Sequence, residues 1–266
     1  MSQEEFNGNT AFTHNTATPG DPAHASIDPL KEQYRDAVAS TRRIRTAVDQ
    51  SRAALLCIDM QYLDAAEGHG VFADANEHGM PPESLEYYFD RLKYSVIPNI
   101  KRLQAAFRAS ELEVIHTRIQ SLTQDGRDRS SGHKRLGLHA APGSKDAEFI
   151  EGIGPVGDEI VINKTASGVF NCTNIEYILR NLDIRALFVC GVYSNECVST
   201  AIRDACDRGF EVTMVHDACA TVTPELQRAT VTNMKDRYAR ILTTSEVAKE
   251  VTECVGDHAS AATDGS

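Results

Sequence analysis

Six short apolar runs punctuate the chain from Ala53 onward: Ala53–Ile58, Val114–His116, Ile160–Ile162, Ala186–Val192, Val212–Val215 and Ala239–Thr243. Runs so short and so rich in Val, Ile and Leu read as strands buried on both faces. Stretches of helical period separate them, near Leu85–Ser110, Thr173–Asn181, Asn195–Arg208 and Pro224–Arg237, with a further candidate helix ahead of them at Pro29–Val48. Gly209 is placed to stop one helix and Pro224 to start another. Strict alternation of this kind predicts an α/β fold in three layers: a mainly parallel, six-stranded sheet with helices on both faces, joined by right-handed crossovers. Ligands of such sheets bind beyond the carboxyl ends of the strands, so the residues that terminate these runs are the first candidates for function.

The rest of the chain sets the boundaries. The 266 residues, 41% of them apolar, suffice for one domain with a full core, placed at residues 29–254. Residues 1–28 lack periodicity and read as a flexible N-terminal arm, and residues 255–266 as a flexible polar tail. No run approaches the roughly 20 apolar residues of a membrane span, and the first 27 residues hold no hydrophobic leader core. The expected location is therefore cytoplasmic. Seven cysteines agree with that expectation, because the number is odd and Cys57, Cys190 and Cys219 lie within or at the end of strand-like runs. A formal charge of −11 argues against nucleic acid or an anionic membrane as partner and leaves a small molecule. The segment Ile119–Gly152 has neither period and carries several glycines and basic residues, so it reads as a long surface loop that could cover a site.

Asp59 ends the first run, Lys164 the third, and Cys197 follows the fourth. A carboxylate able to take a thiol proton and a cation able to favour the thiolate make a nucleophilic set. Cys197 also falls in the first turn of the helix expected from Asn195, where the dipole lowers a thiol pKa and backbone amides can hold an oxyanion. Taken singly, each residue has a plainer use: a strand-end cap for Asp59, a solvated cation for Lys164, a small buried hydrophobe for Cys197.

Three segments carry more than composition: Leu-Leu-Cys-Ile-Asp-Met-Gln at Leu55–Gln61, Lys-Thr-Ala-Ser-Gly-Val-Phe-Asn-Cys-Thr at Lys164–Thr173, and Gly-Val-Tyr-Ser-Asn-Glu-Cys-Val-Ser-Thr-Ala at Gly191–Ala201. In this order they resemble the signature regions of the isochorismatase-like cysteine hydrolases, a superfamily that includes nicotinamidase, N-carbamoylsarcosine amidohydrolase, biuret hydrolase and ureidoacrylate amidohydrolase. The resemblance covers about Ala53–Leu242. It implies a Rossmann-like fold, with Asp59 as general base and acid, Lys164 holding Asp59 and Cys197 in productive states, and Cys197 forming a covalent acyl-enzyme. It also implies a cis peptide at Val192–Tyr193 and an oxyanion hole of the Tyr193 and Cys197 amides. The implied reaction cleaves the C–N bond of a small amide or ureido substrate without a cofactor, in a homo-oligomer that in this superfamily is often a tetramer.

Two departures narrow what can be transferred. Many members read Asp-Met-Gln-Asn-Asp-Phe where this chain has Asp59-Met60-Gln61-Tyr62-Leu63-Asp64, so the pocket wall after Asp59 differs. The second run ends in His116-Thr117-Arg118 rather than the Asp-x-His pattern that resembles the nicotinamidase metal site, which implies no metal here. Phe170, Gln120, Arg118 and Tyr62 are the candidate substrate contacts, with His69 and His78 in a glycine-containing segment that could form a rim. The remaining cysteines lack paired metal spacing. Two other readings stay open: a vinyl-ether hydrolase of isochorismatase type that does not use the cysteine, and a non-catalytic oligomeric scaffold.

Overall fold

The computed structural model describes residues 41–75 and 79–261, with side chains to residue 254. The expected N-terminal arm, the first part of the Pro29–Val48 helix and His78 lie outside the described residues; that helix is seen from Thr41 to Asp49.

Six strands form one parallel sheet in the order β3-β2-β1-β4-β5-β6: β1 Ala53–Ile58, β2 Glu113–Ile119, β3 Val161–Lys164, β4 Ala186–Val192, β5 Glu211–Ala220 and β6 Arg240–Leu242. β1 and β4 are central and buried along their whole length. That burial on both faces is why they read as uninterrupted apolar runs rather than alternating ones. Reversal of strand order between β1 and β4 opens a crevice at their carboxyl ends, the usual ligand position in such sheets.

Besides β3, which runs two residues on to Lys164, two strands outrun their sequence signal. β2 continues beyond His116 through Thr117 to Ile119, and β5 continues beyond Val215 to Ala220 with a register shift against β4 between Val189 and Gly191. Both extensions contain polar residues that find partners, which a hydrophobicity pattern cannot register. The expected single helix Leu85–Ser110 instead begins at Pro82, and its two halves, Pro82–Arg91 and Ile97–Ala109, are joined by a π turn at Leu92–Val96. Pro98 lies two residues beyond that turn and has no N–H to donate, a local defect that a widened turn absorbs.

A final helix, Thr244–Ala261, was not foreseen and continues past Val255. Its start carries a capping box: Glu246 N–H donates to Thr243 Oγ1 at 3.3 Å, while the Thr243 N–H donates to Glu246 Oε2 at 2.7 Å. The Thr-x-x-Glu spacing was the available signal.

Candidate active site

Gly191, the penultimate residue of β4, has φ +115°, and a Cβ built there would lie 2.0 Å from the carbonyl oxygen of Ile58. Only glycine lets the two central strands approach this closely where β1 ends. One residue later β1 gives way to Asp59, whose φ of +53° is the left-handed conformation that Asp tolerates better than most residues. The turn is fixed from β2: the Asp59 N–H donates to the Thr117 carbonyl at 3.1 Å, and Thr117 Oγ1 donates to Asp59 Oδ1 at 2.9 Å.

Lys164 ends β3, and its ammonium reaches Asp59 Oδ2 at 2.8 Å. The same nitrogen donates to the Ala166 carbonyl at 3.1 Å and contacts Cys197 Sγ at 3.3 Å. Cys197 lies in a π turn, Ser194–Val198, between β4 and the helix Ser199–Asp207, so the helix expected from Asn195 opens with a wider turn than an α-helix would give. The Val192–Tyr193 peptide just before it is cis. Three residues separated by up to 138 positions thus share one buried cation, with exposures of 1% for Asp59, 0% for Lys164 and 4% for Cys197.

Burial opposes the charge of Lys164, but Asp59 and then Cys197 outweigh it and hold the ammonium above its ordinary pKa. Burial pushes the Cys197 thiol well above the usual thiol range; Lys164 counters this, while Asp59 and Asp64 add to it. The lowering of the thiol pKa expected from the turn dipole therefore meets an opposing effect of burial. The turn dipole and the Lys164 cation both favour the anion, yet the sulfur is dehydrated and already faces a carboxylate that has claimed the cation.

The site includes residues that the sequence did not single out. Asp64, in the short helix Tyr62–Ala65, is 1% exposed, and burial followed by the neighbouring Asp59 raises its carboxyl well above the carboxylate range. Its carbonyl accepts from Tyr88 Oη at 2.7 Å and from Tyr193 Oη at 3.2 Å, which ties it to the residue of the cis peptide. His133 belongs to the Ile119–Gly152 segment, on the helix Ser131–Arg135. That helix is hooked beside Lys164 by a bond from Ser130 N–H to the Thr165 carbonyl at 2.9 Å, and His133 is 2% exposed. Burial, then the Lys164 charge, pushes its imidazole down to about 4. Gln61 secures the same segment: its side-chain nitrogen donates to the carbonyls of Ile119 at 2.9 Å and Asp146 at 2.8 Å. The long loop is thus partly ordered and partly buried, contrary to the expectation of a surface loop.

The expected substrate contacts are not all brought to this point. Phe170 packs in the core against Phe210, 6.1 Å between centroids, beneath the guanidinium of Arg208. Arg118 donates to Asn163 Oδ1 at 2.8 Å and the Ala147 carbonyl at 2.9 Å, so its charge is engaged between β2, β3 and the loop. Gln120 follows β2, and its N–H donates to the Lys164 carbonyl at 3.1 Å. Tyr62 stands half-buried with Lys145 Nζ 3.8 Å over its ring and His69 edge-on at 5.1 Å, while His69 Nδ1 lies 2.6 Å from Asp146 Oδ1. His116 Nε2 pairs with Glu159 at 3.0 Å, a structural use. Among the described residues, no group of three or more His, Cys, Asp or Glu side chains is arranged to hold a metal ion.

Comparison with known proteins gives this geometry a context. The chain is 28% identical over 251 residues to a ureidoacrylate amidohydrolase of Rhizobium rhizogenes, covering 86% of this chain and 95% of that protein. It is 27% identical over 161 residues to an N-carbamoylsarcosine amidase of Arthrobacter, a match that covers 58% of this chain and 60% of the length of that relative. Its fold resembles that of a cysteine hydrolase from Pseudomonas syringae, with a TM-score of 0.64 and 24% identity over 77% of this chain and 94% of that one. The family model described as Isochorismatase domain matches residues 53–246, the span that holds all six strands together with Asp59, Lys164 and Cys197, and the chain belongs to that family.

Proposed function

We propose that this protein is a cysteine-dependent hydrolase that cleaves the C–N bond of a small amide or ureido substrate. The observation that carries the reading is the buried Lys164 ammonium, 2.8 Å from the Asp59 carboxylate and 3.3 Å from the Cys197 sulfur. The relatives whose names specify amidase or amidohydrolase activity support the chemistry without fixing the substrate.

In this reading Asp59 takes the Cys197 proton as the sulfur attacks the substrate carbonyl, so the thiol ionises only within the reaction. A raised resting pKa suits that order, because the proton leaves when a bond to carbon replaces it. The carbonyl oxygen becomes an oxyanion received by the backbone amides of Tyr193 and Cys197. Lys164 keeps the cluster from accumulating negative charge while the proton moves. Asp59 then returns the proton to the departing nitrogen, the C–N bond breaks, and ammonia or an amine leaves a thioester. Water attacks that thioester with Asp59 accepting its proton, and the released sulfur recovers the proton from Asp59.

Intact-protein mass spectrometry on wild-type protein mixed with substrates found by an ammonia-release screen tests the scheme. An acyl adduct on Cys197, with Cys197→Ala and Cys197→Ser inactive, is the expected result. Wild-type turnover by either variant would instead favour vinyl-ether or other cysteine-independent chemistry.

A further inference from the structure

The large majority of buried polar atoms in folded proteins are hydrogen-bonded, so unsatisfied ones beside a reactive centre point to a ligand that would satisfy them. Asp64 Oδ2 and both ring nitrogens of His133 have no hydrogen-bond partner among the described residues. The two side chains are 1% and 2% exposed, and the charge of Asp59 and Lys164 acts on both. They reach the site from unrelated segments: Asp64 from the helix that follows β1, His133 from the loop helix hooked to Thr165.

We propose that Asp64 and His133 are a specificity-determining pair that binds the donor–acceptor edge of an uncharged ureide, on the side of the attacked carbonyl away from the leaving nitrogen. The proposal rests on the hydrolase reading and names its substrate class. A protonated carboxyl offers one O–H donor and one carbonyl acceptor, and a neutral imidazole offers one N–H donor and one nitrogen acceptor. Burial, the largest cause in each, raises the Asp64 carboxyl and lowers the His133 imidazole, so both are pushed toward those uncharged forms. In a simple carboxamide the carbonyl oxygen goes to the oxyanion amides and the nitrogen to Asp59, leaving nothing polar for Asp64 and His133. A ureide carries a further N–H beyond the scissile bond, and an N-acylated ureide a further carbonyl. An anionic substrate would need a cation of its own, whereas Lys164 is committed to Asp59 and Cys197, Arg118 to Asn163 and Ala147, and Arg129, whose charge also acts on His133, to the Gly126 and Leu138 carbonyls. A site that leaves buried polar groups unpaired rejects the analogue that cannot pair them.

The test uses full-length Cys197→Ala protein and ligand-observed NMR titration with two neutral probes of similar size, N-acetylurea and isobutyramide. N-acetylurea is expected to bind at least about tenfold more tightly, the equivalent of one well-made hydrogen bond. Adding Asp64→Leu or His133→Phe should each bring the ratio close to one, while Asp64→Asn and His133→Gln, which keep a donor and an acceptor, should retain most of it and serve as folded controls. Equal affinity for the probes, or a ratio that survives both apolar substitutions, overturns the proposal. Ammonia release by the protein with Cys197 intact judges the hydrolase reading separately. Selective ureide binding without turnover would sink that reading and leave the recognition pair standing; turnover with unselective binding would do the reverse.

Discussion

Replacing Lys164 by Met isolates the electrostatics of the site from its chemistry. Met keeps most of the length of the lysine stem and removes the ammonium, so packing is nearly conserved while three contacts disappear: Asp59 Oδ2 at 2.8 Å, the Ala166 carbonyl at 3.1 Å and Cys197 Sγ at 3.3 Å. At an effective dielectric of about 20 the attraction between unit charges at that first distance is about 6 kcal/mol, part of which the native pair spends on desolvating both ions. Asp59, 1% exposed, would retain the Thr117 hydroxyl as its side-chain partner. Leaving one member of a buried pair unmatched costs about 3–5 kcal/mol, a large share of the roughly 5–15 kcal/mol that holds a domain together. The assay is urea unfolding followed by circular dichroism at pH 7 and one fixed protein concentration. Adding Asp59→Asn should recover most of the loss, because the second substitution removes the orphaned charge. A loss below about 1 kcal/mol for Lys164→Met, or no recovery in the double variant, would refute the account of Lys164 as the counter-charge of Asp59.

Alkylation of Cys197 by iodoacetamide should keep accelerating through pH 9 without a plateau, as burial and Asp59 hold the proton on sulfur; a plateau below pH 7 would restore the resting thiolate. His133, pushed down to about 4, stays neutral in the folded protein while the unfolded chain takes up a proton near pH 6.5. Between those values the unfolded state binds more protons, so stability falls as pH falls, by at most about 3 kcal/mol, and His133→Gln should remove that part of the pH profile in urea unfolding. Gly191→Ala should cost more than about 3 kcal/mol or abolish soluble expression, since its Cβ would meet the backbone of Ile58 at 2.0 Å, against only about 1–2 kcal/mol for alanine at Gly137, where φ is +70° but nothing lies within 4 Å.

The sheet was readable from sequence where burial and hydrophobicity coincide. β1 and β4 have the same bounds in both descriptions because every residue of each is buried and apolar. Reading failed where a polar residue is buried with a partner: Thr117 extends β2 because its hydroxyl serves Asp59, and a pattern of apolar residues stops one position earlier. The Thr243–Glu246 capping box marks the start of the final helix by local spacing alone.

The sequence determined which reactive groups exist and that they terminate strands, because strand ends are set by local composition and a parallel sheet gathers its carboxyl ends on one rim. It also showed that the residues after Asp59 depart from the common family pattern, without showing that Asp64 is buried. Only the tertiary structure decided that a loop helix 74 residues from Asp59 brings His133 close to the charges of Asp59 and Lys164, with Ser130 bonded to Thr165 and Gln61 securing the segment. It alone set the direction in which burial and neighbouring charge push the pKa of Lys164, Cys197, Asp64 and His133. A pKa answers to dehydration and to the nearest charge, and both depend on distances between atoms far apart along the chain, which no local pattern of residues encodes.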